Sequence, residues 1–225
     1  AVIRHLERLG VHTVNSSVAI DTVKDKLFSQ QILAENNLPV PRTILVKFPI
    51  NVDLVEKHLG FPVIVKTIYG AQGKGVFMAD DRNQFIDMMS LVEVTNEKAN
   101  IILQEYIEES RGRDLRVFTI GGRAVACMQR ISNQGFKANY SQGGRVEPYE
   151  MTPEIEYLAT SASRIMGLDI AGVDLLFDKN GTFKVCEINS APGFHGLEEA
   201  CGINIPQEVF HYLRIRLGQV KRRGE

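Results

Sequence analysis

"AGVDLLFDKNGTFKVCEINSAPG", residues 171–193, holds two apolar runs of strand length joined by an Asn-Gly pair. Asp174 interrupts the first run, and Glu187 and Asn189 interrupt the second. Interior strands favour Val, Ile, Leu and Phe, and an unpaired carboxylate among them is costly. The two acids and the amide therefore form either a hydrogen-bonded structural cluster or a site for a cation. Asn180-Gly181 is the preferred pair for a two-residue hairpin turn, because both central residues need positive φ. That turn sets Lys179 against Thr182, Asp174 against Glu187 and Gly172 against Asn189. A three-residue turn would shift the pairing by one. Val173, Leu175 and Phe177 then face the core together with Cys186 and Ile188, since side chains alternate with period two. Opposed like charges repel unless a cation lies between them. An oxygen-only set suits Mg²⁺ or Mn²⁺, and so few ligands suit Mg²⁺ shared with phosphates.

Working outward, the chain mixes strands and helices without strict βαβ alternation, which predicts α+β sheets each covered by helices on one side. Asp21 is the expected N-cap of a helix running to about Asn36, ended by "NNLPVP". "RTILVK" and "FPVIVKTI" read as strands around a helix at "NVDLVEKHLG". "DDRNQFIDMMSLV" reads as a helix, "NIILQEYIEE" as a strand and "DLRVFTIGGRAVACMQR" as a hairpin about Gly-Gly. Residues 132–145 are polar and Gly-rich, hence a loop. Thr152 is positioned to cap a helix over "TPEIEYLATSASRIMGL", and a last helix runs through "IPQEVFHYLRIRLGQV". At the start, "AVIRHLERLGVHTVNS" reads as a helix and a short strand, the expected end of an N-terminal α/β domain over residues 1–16.

Composition bounds the function classes. Of 225 residues, 44% are apolar and 24% charged, with net charge −1. These values describe an ordinary globular chain and give no reason to expect a nucleic-acid or membrane surface. No apolar stretch approaches the roughly 20 residues that span a bilayer. Cys127, Cys186 and Cys201 are scattered without metal-ligand spacing, the pattern expected of reduced thiols in a cytoplasmic protein.

Several polar residues stand out. Lys66 ends the run Val63-Ile64-Val65 directly before the glycine-rich "YGAQGKG". A glycine-rich turn lets backbone N–H groups approach phosphate oxygens, and a nearby lysine adds a mobile charge. The plainer reading is a strand-end lysine beside an ordinary loop. Neither the P-loop nor the dinucleotide-binding pattern is present. Lys26 reads alone as a solvated helix residue. Asp114 and Arg116 read as a local ion pair on one strand face. Arg130, Lys137 and Asn139 flank or occupy the polar loop.

Together these pieces resemble the ATP-grasp carboxylate–amine ligases of the RimK group, the alpha-L-glutamate ligase family. The resemblance runs from "NSSVAIDTVKDKLFSQQILAENNLPVP" to "EINSAPGFHGLEEACGINI". Its most specific markers are "FPVIVKTIYGAQGKGV", "LQEYIEESRGRDLRVFTIGG", "AGVDLLF" and "CEINSAPG". It implies an ATP-grasp fold over residues 17–225, with a small lobe at about 40–105 and a large lobe at about 106–220 clasping ATP. Lys26 and Lys66 match the lysines that reach the nucleotide, and Gly73 lies in the loop over the phosphates. Glu105, Tyr106 and Ile107 match the adenine segment, and Asp114 matches the ribose ligand. Arg130 matches an arginine beside the phosphates and, with Lys66, is the implied catalytic pair. Lys137, where the family commonly has arginine, and Asn139 match further nucleotide contacts. Asp174, Glu187 and Asn189 match the ligands of Mg²⁺ or Mn²⁺, with two ions implied. The implied reaction joins an amino acid, glutamate favoured, to a carboxylate acceptor through an acyl phosphate. The acceptor is a protein C-terminus or a small molecule, and a homo-oligomer is left open. The competing reading is an ATP-binding regulatory module without turnover, but adenine binding alone needs neither three metal ligands nor Arg130.

Overall fold

The computed structural model describes residues 2–67, 75–132 and 144–218. The chain opens with α1 (Val2–Arg8), α2 (Ser17–Lys24) and α3 (Lys26–Glu35). The single helix expected from Asp21 is thus two helices. Asp25 breaks it, because its carboxylate accepts from Leu27 N and Phe28 N, both at 3.0 Å, and caps α3. Ser16 caps α2, and Asp21 lies inside it. The strand expected at residues 11–14 does not form. Thr13 Oγ1 and Ser17 N instead donate to the Glu7 carboxylate, which folds this segment back on α1.

A four-stranded antiparallel sheet follows, built from β1 (Thr43–Val46), β2 (Val63–Thr67), β3 (Val76–Ala79) and β4 (Ile101–Glu105) in the order β1-β4-β2-β3. Two helices, α4 (Val52–His58) and α5 (Arg82–Thr95), cover one face. Val55, Phe85 and Met89 pack there against Val63, Val65 and Leu103. Alternation along β2 sends Ile64 and Lys66 to the opposite, open face, where they line a cleft.

The second sheet has five antiparallel strands: β5 (Arg113–Ile120), β6 (Arg123–Ile131), β7 (Arg145–Pro148), β8 (Ile170–Phe177) and β9 (Phe183–Asn189), in the order β7-β6-β5-β8-β9. One face carries Leu115, Val117, Val173 and Val185 against Ile155 and Leu158 of α6 (Pro153–Ile165), joined by Val23 and Leu33 of α2 and α3. Each such side chain contributes about 1.5–3 kcal/mol when fully buried. Thr152 caps α6 as expected. Helices also cover the other face, contrary to the one-sided expectation. Phe118, Ile120 and Met128 pack there under Leu197 of α7 (His195–Cys201) and Ile205 of α8 (Ile205–Arg216). The reason is local: along β5 the period-two series Asp114, Arg116, Phe118, Ile120 turns from charged to apolar, and its apolar end needs cover.

The β8–β9 hairpin keeps the expected opposition of Asp174 to Glu187 and of Gly172 to Asn189. It reaches that register by a different route. Asn180 and Gly181 take positive φ, 59° and 75°, yet Asp178 N donates to Thr182 O at 2.8 Å. The loop therefore holds three residues, closed by the Thr182 hydroxyl donating to Lys179 O at 2.9 Å. Near the turn Phe177 pairs with Phe183 and Leu175 with Val185, one residue out of the expected register. A bulge at Cys186 restores the count before Glu187. As a result Cys186 leaves the core face assigned to it and lines the cleft with Glu187.

Candidate active site

The open face of the small sheet and the charged half of the large sheet enclose one cleft. Lys26, Lys66, Glu105, Tyr106, Ile107, Asp114, Arg130, Asp174 and Glu187, singled out in the sequence, all line it. Asn189 lies on β9 two residues beyond Glu187 and is not among the lining residues. Gly73, Lys137 and Asn139 fall outside the described residues.

The floor is a chain of four charges. Asp114 and Arg130 oppose each other on β5 and β6, with Arg130 Nε and Nη2 donating to the two carboxylate oxygens at 2.6 and 2.8 Å. Arg116 and Asp174 oppose each other on β5 and β8 in the same forked geometry, at 2.7 Å for both bonds. Arg130 Nη2 joins the pairs, 2.9 Å from Asp174 Oδ2. Asp114 and Arg116 thus each pair across strands rather than with each other. Arg130 is almost fully buried, its side chain 5% exposed. Burial alone would weaken its hold on the proton, but Asp174 and Asp114 outweigh that and hold the guanidinium firmly charged. Burial would likewise raise Asp174, yet Arg116 and Arg130 hold its carboxyl below the ordinary range.

Glu187 differs from Asp174. Its side chain is half-buried and pairs loosely with Lys26 Nζ at 3.9 Å. Across the cleft Lys66 Nζ donates to Gln104 Oε1 at 2.5 Å and lies 3.8 Å from Cys186 Sγ. Burial pushes the Cys186 thiol up, so it stands beside Lys66 as a neutral group.

The donor chemistry fits the groups the cleft is expected to hold. Each oxygen of an ionised carboxylate offers about two acceptor positions. Asp114 uses one on each oxygen for Arg130 and, among the described residues, leaves positions open to a donor such as a hydroxyl. Asp174 keeps one on Oδ1, and among the described residues Glu187 has no arginine partner, only Lys26 at 3.9 Å. Among the described residues no three His, Cys, Asp or Glu side chains converge. A hard cation at Asp174 and Glu187 would therefore draw its other oxygens from the Asn189 amide and from phosphate or water.

Sequence reasoning missed Gln104 and Lys184 as contributors, and gave Arg116 only as an ion-pair partner of Asp114 rather than of Asp174. Lys184 Nζ bonds Glu105 Oε1 at 2.8 Å, and Arg42 N and Nε hold the same carboxylate at 2.9 and 2.7 Å. Burial raises Glu105, but Lys184 and Arg42 outweigh it and hold the group below the usual glutamate range.

Comparison with known proteins gives a consistent picture. The RimK-like ATP-grasp domain description matches residues 23–213. A protein of Legionella pneumophila (strain Corby) named "Probable alpha-L-glutamate ligase" is 40% identical over 215 residues, covering 95% of this chain and 70% of the relative. A protein of the same name from Methanococcoides burtonii is 40% identical over 230 residues, covering 100% of this chain and 75% of the relative. Among solved structures, the ATP-grasp ligase PsnB, complexed with minimal precursor, Mg and ADP, aligns with TM-score 0.76 at 22% identity, over 96% of this chain and 65% of that one. D-alanine–D-alanine ligase from Bacillus anthracis aligns with TM-score 0.76 at 21% identity, over 98% of this chain and 77% of that one. These structural likenesses establish the ATP-grasp fold. The family match spans both sheets and the cleft between them: this chain belongs to the RimK-like ATP-grasp domain family.

Proposed function

We propose that this chain is an ATP-dependent carboxylate–amine ligase that adds an amino acid, glutamate favoured, to a carboxylate acceptor. The observation that carries the reading is the cleft itself. It brings cationic Lys26 and Lys66 to face the Asp174–Glu187 carboxylate pair, with buried Arg130 beneath. The names of the relatives, probable alpha-L-glutamate ligases, support the amide-forming class and the amino acid.

A carboxylate resists attack by an amine because its leaving group is poor. Transfer of the γ-phosphoryl group converts it to an acyl phosphate, which the amine attacks with release of phosphate, leaving ADP. Positioning and charge stabilisation carry most of such catalysis. In this reading the backbone of residues 105–107 receives adenine, Asp114 accepts from the ribose hydroxyls, and Lys26 and Lys66 bind phosphate oxygens. Arg130 stabilises charge developing on the transferred group. Asp174, Glu187 and Asn189 would hold two ions of Mg²⁺, or of Mn²⁺ in its place. When bound, the metal offsets charge on the β- and γ-phosphates. The acceptor is a protein C-terminus or a small carboxylic acid.

A cytoplasmic location belongs to the same reading. Cys127, Cys186 and Cys201 are free thiols, which a reducing compartment maintains. No helix among the described residues is long and apolar enough to cross a membrane.

The test is to incubate the protein with ATP, Mg²⁺, glutamate and a panel of carboxylate acceptors, and to quantify ADP, phosphate and amide together. A ligase forms the three in equal amounts. ADP without amide across the panel, or no ADP at all, would reject the proposal.

A further inference from the structure

Among the described residues β9 is the outer strand of the large sheet, so its outward N–H and C=O groups lack a strand partner there. The chain before β1 supplies two. Val185 N donates to Pro39 O at 2.8 Å. Gln30 Nε2 donates to Cys186 O at 2.8 Å, with Val185 O at 3.5 Å. Gln30 lies four residues after Lys26 on α3, on the same helix face, and both meet β9 around the bulge. Only the NH₂ end of the amide can serve two carbonyls, so its orientation is fixed. The other end, Gln30 Oε1, is buried in a residue only 7% exposed and has no hydrogen-bond partner among the described residues. An unsatisfied buried acceptor is destabilising. Packing alone therefore does not account for an amide at this position.

The bulge that Gln30 touches decides which face Glu187 occupies. Continued without it, the pairing of Leu175 with Val185 would set Asp174 opposite Cys186 and turn Glu187 toward the core beside Val173. Asn189 would turn with it. With the bulge, Glu187 opposes Asp174 on the cleft face.

We propose that Gln30 is a positioning residue for the metal site: its amide holds the Cys186 bulge and so keeps Glu187 on the face of Asp174. This inference rests on the metal ligands proposed above. It is tested by ADP affinity, measured calorimetrically with and without Mg²⁺, in the parent, in Gln30→Met and in Leu33→Ala. Leu33 is a fully buried core residue on the same helix, so its truncation reports generic loss of α3 packing. Loss of a group that orients a ligand typically costs about 10- to 100-fold in metal affinity. Gln30→Met should therefore lower the Mg²⁺ enhancement of ADP binding by about tenfold or more, leaving metal-free affinity unchanged. Leu33→Ala should lose stability and keep the enhancement. Gln30→Glu keeps the size and the acceptor but lacks the amide donor at neutral pH, and provides the same reading if the Met variant does not fold. An unchanged enhancement in the Gln30 variants, or an equal loss in Leu33→Ala, overturns the positioning role. No Mg²⁺ enhancement in the parent overturns the metal site itself, and this role with it.

Discussion

Lys184 Nζ lies 2.8 Å from Glu105 Oε1, which ties the outer strand of the large sheet to the last residue of β4 in the small one. Arg42 holds the same carboxylate from the small-lobe side and donates through Nη1 to His58 O at 2.8 Å. The tie sits where the chain passes from one lobe to the other, beside the segment 105–107 that lines the cleft. Lys184→Met removes one of the bonds to a carboxylate that is 8% exposed. Leaving such a group under-satisfied costs about 1–3 kcal/mol. Urea unfolding should show that loss. Lys184→Met in a Glu105→Gln background should cost much less, because the coupling is already gone. Additive losses would mean that the contact carries no coupling energy.

Acid should weaken the same tie. Glu105 is held below its ordinary value by Lys184 and Arg42, against the effect of burial. A carboxyl with a depressed folded-state pKa contributes stability above its unfolded pKa and loses it as pH falls through the folded one. The stability advantage of the parent over Glu105→Gln should therefore be constant near neutrality and shrink below about pH 4.3. Thermal denaturation of both proteins across that range checks this. A gap that stays constant into acid would contradict it.

The hairpin shows what sequence could and could not give. Counting from a two-residue turn sets Asp174 opposite Glu187, and the structure agrees only because two one-residue shifts cancel. The third loop residue moves the register one way and the Cys186 bulge moves it back. A clue was present, since the uninterrupted count puts Lys184 on the core face. In the structure Val185 takes that place, and Lys184 bonds Glu105 on the other side. The long strands and helices were legible because their hydrophobic period is strong. The four-residue β3 and β7 were not, although β1 of the same length was: Thr43–Val46 is a clear apolar run, whereas Val76–Ala79 directly follows the glycine-rich stretch and Arg145–Pro148 is mostly polar. The partner of Arg116 is hidden because it depends on which strand becomes the second neighbour of β5, and the partner of Asp114 because a bulge beside Phe118 shifts the expected hairpin register by one, from Gln129 to Arg130.

The floor of the cleft should be fragile to loss of Arg130. Its guanidinium neutralises Asp114 and helps to neutralise Asp174. Removing one partner from a buried pair costs about 3–5 kcal/mol, so Arg130→Met should unfold at markedly lower urea. Arg130→Lys keeps the charge but not the fork and should fall between the two. Adding Asp114→Asn to Arg130→Met should recover part of the loss by removing an uncompensated carboxylate. Circular dichroism during urea titration ranks the four proteins. A double variant no more stable than Arg130→Met would show that Asp114 is not the group left exposed to the penalty.

Lys66 offers the sharpest separation of binding from stability. Its Nζ bonds Gln104 Oε1 at 2.5 Å and lines the cleft, with no carboxylate among its hydrogen-bond partners in the described residues. Lys66→Met therefore leaves no buried acid unpaired, and the variant should fold with little loss. In the presence of ATP and Mg²⁺ the two proteins should diverge. A ligand at a hundredfold excess over Kd stabilises the folded state by about 2.7 kcal/mol. A hydrogen bond from a charged group to phosphate is worth about 1.5–3 kcal/mol, so its loss weakens binding by about 10- to 150-fold. At the same ATP concentration the stabilisation of Lys66→Met should then drop to between about 0.3 and 1.4 kcal/mol. A thermal-shift titration of both proteins reads the difference directly. Equal shifts would remove Lys66 from the nucleotide site, whatever the variant does to turnover.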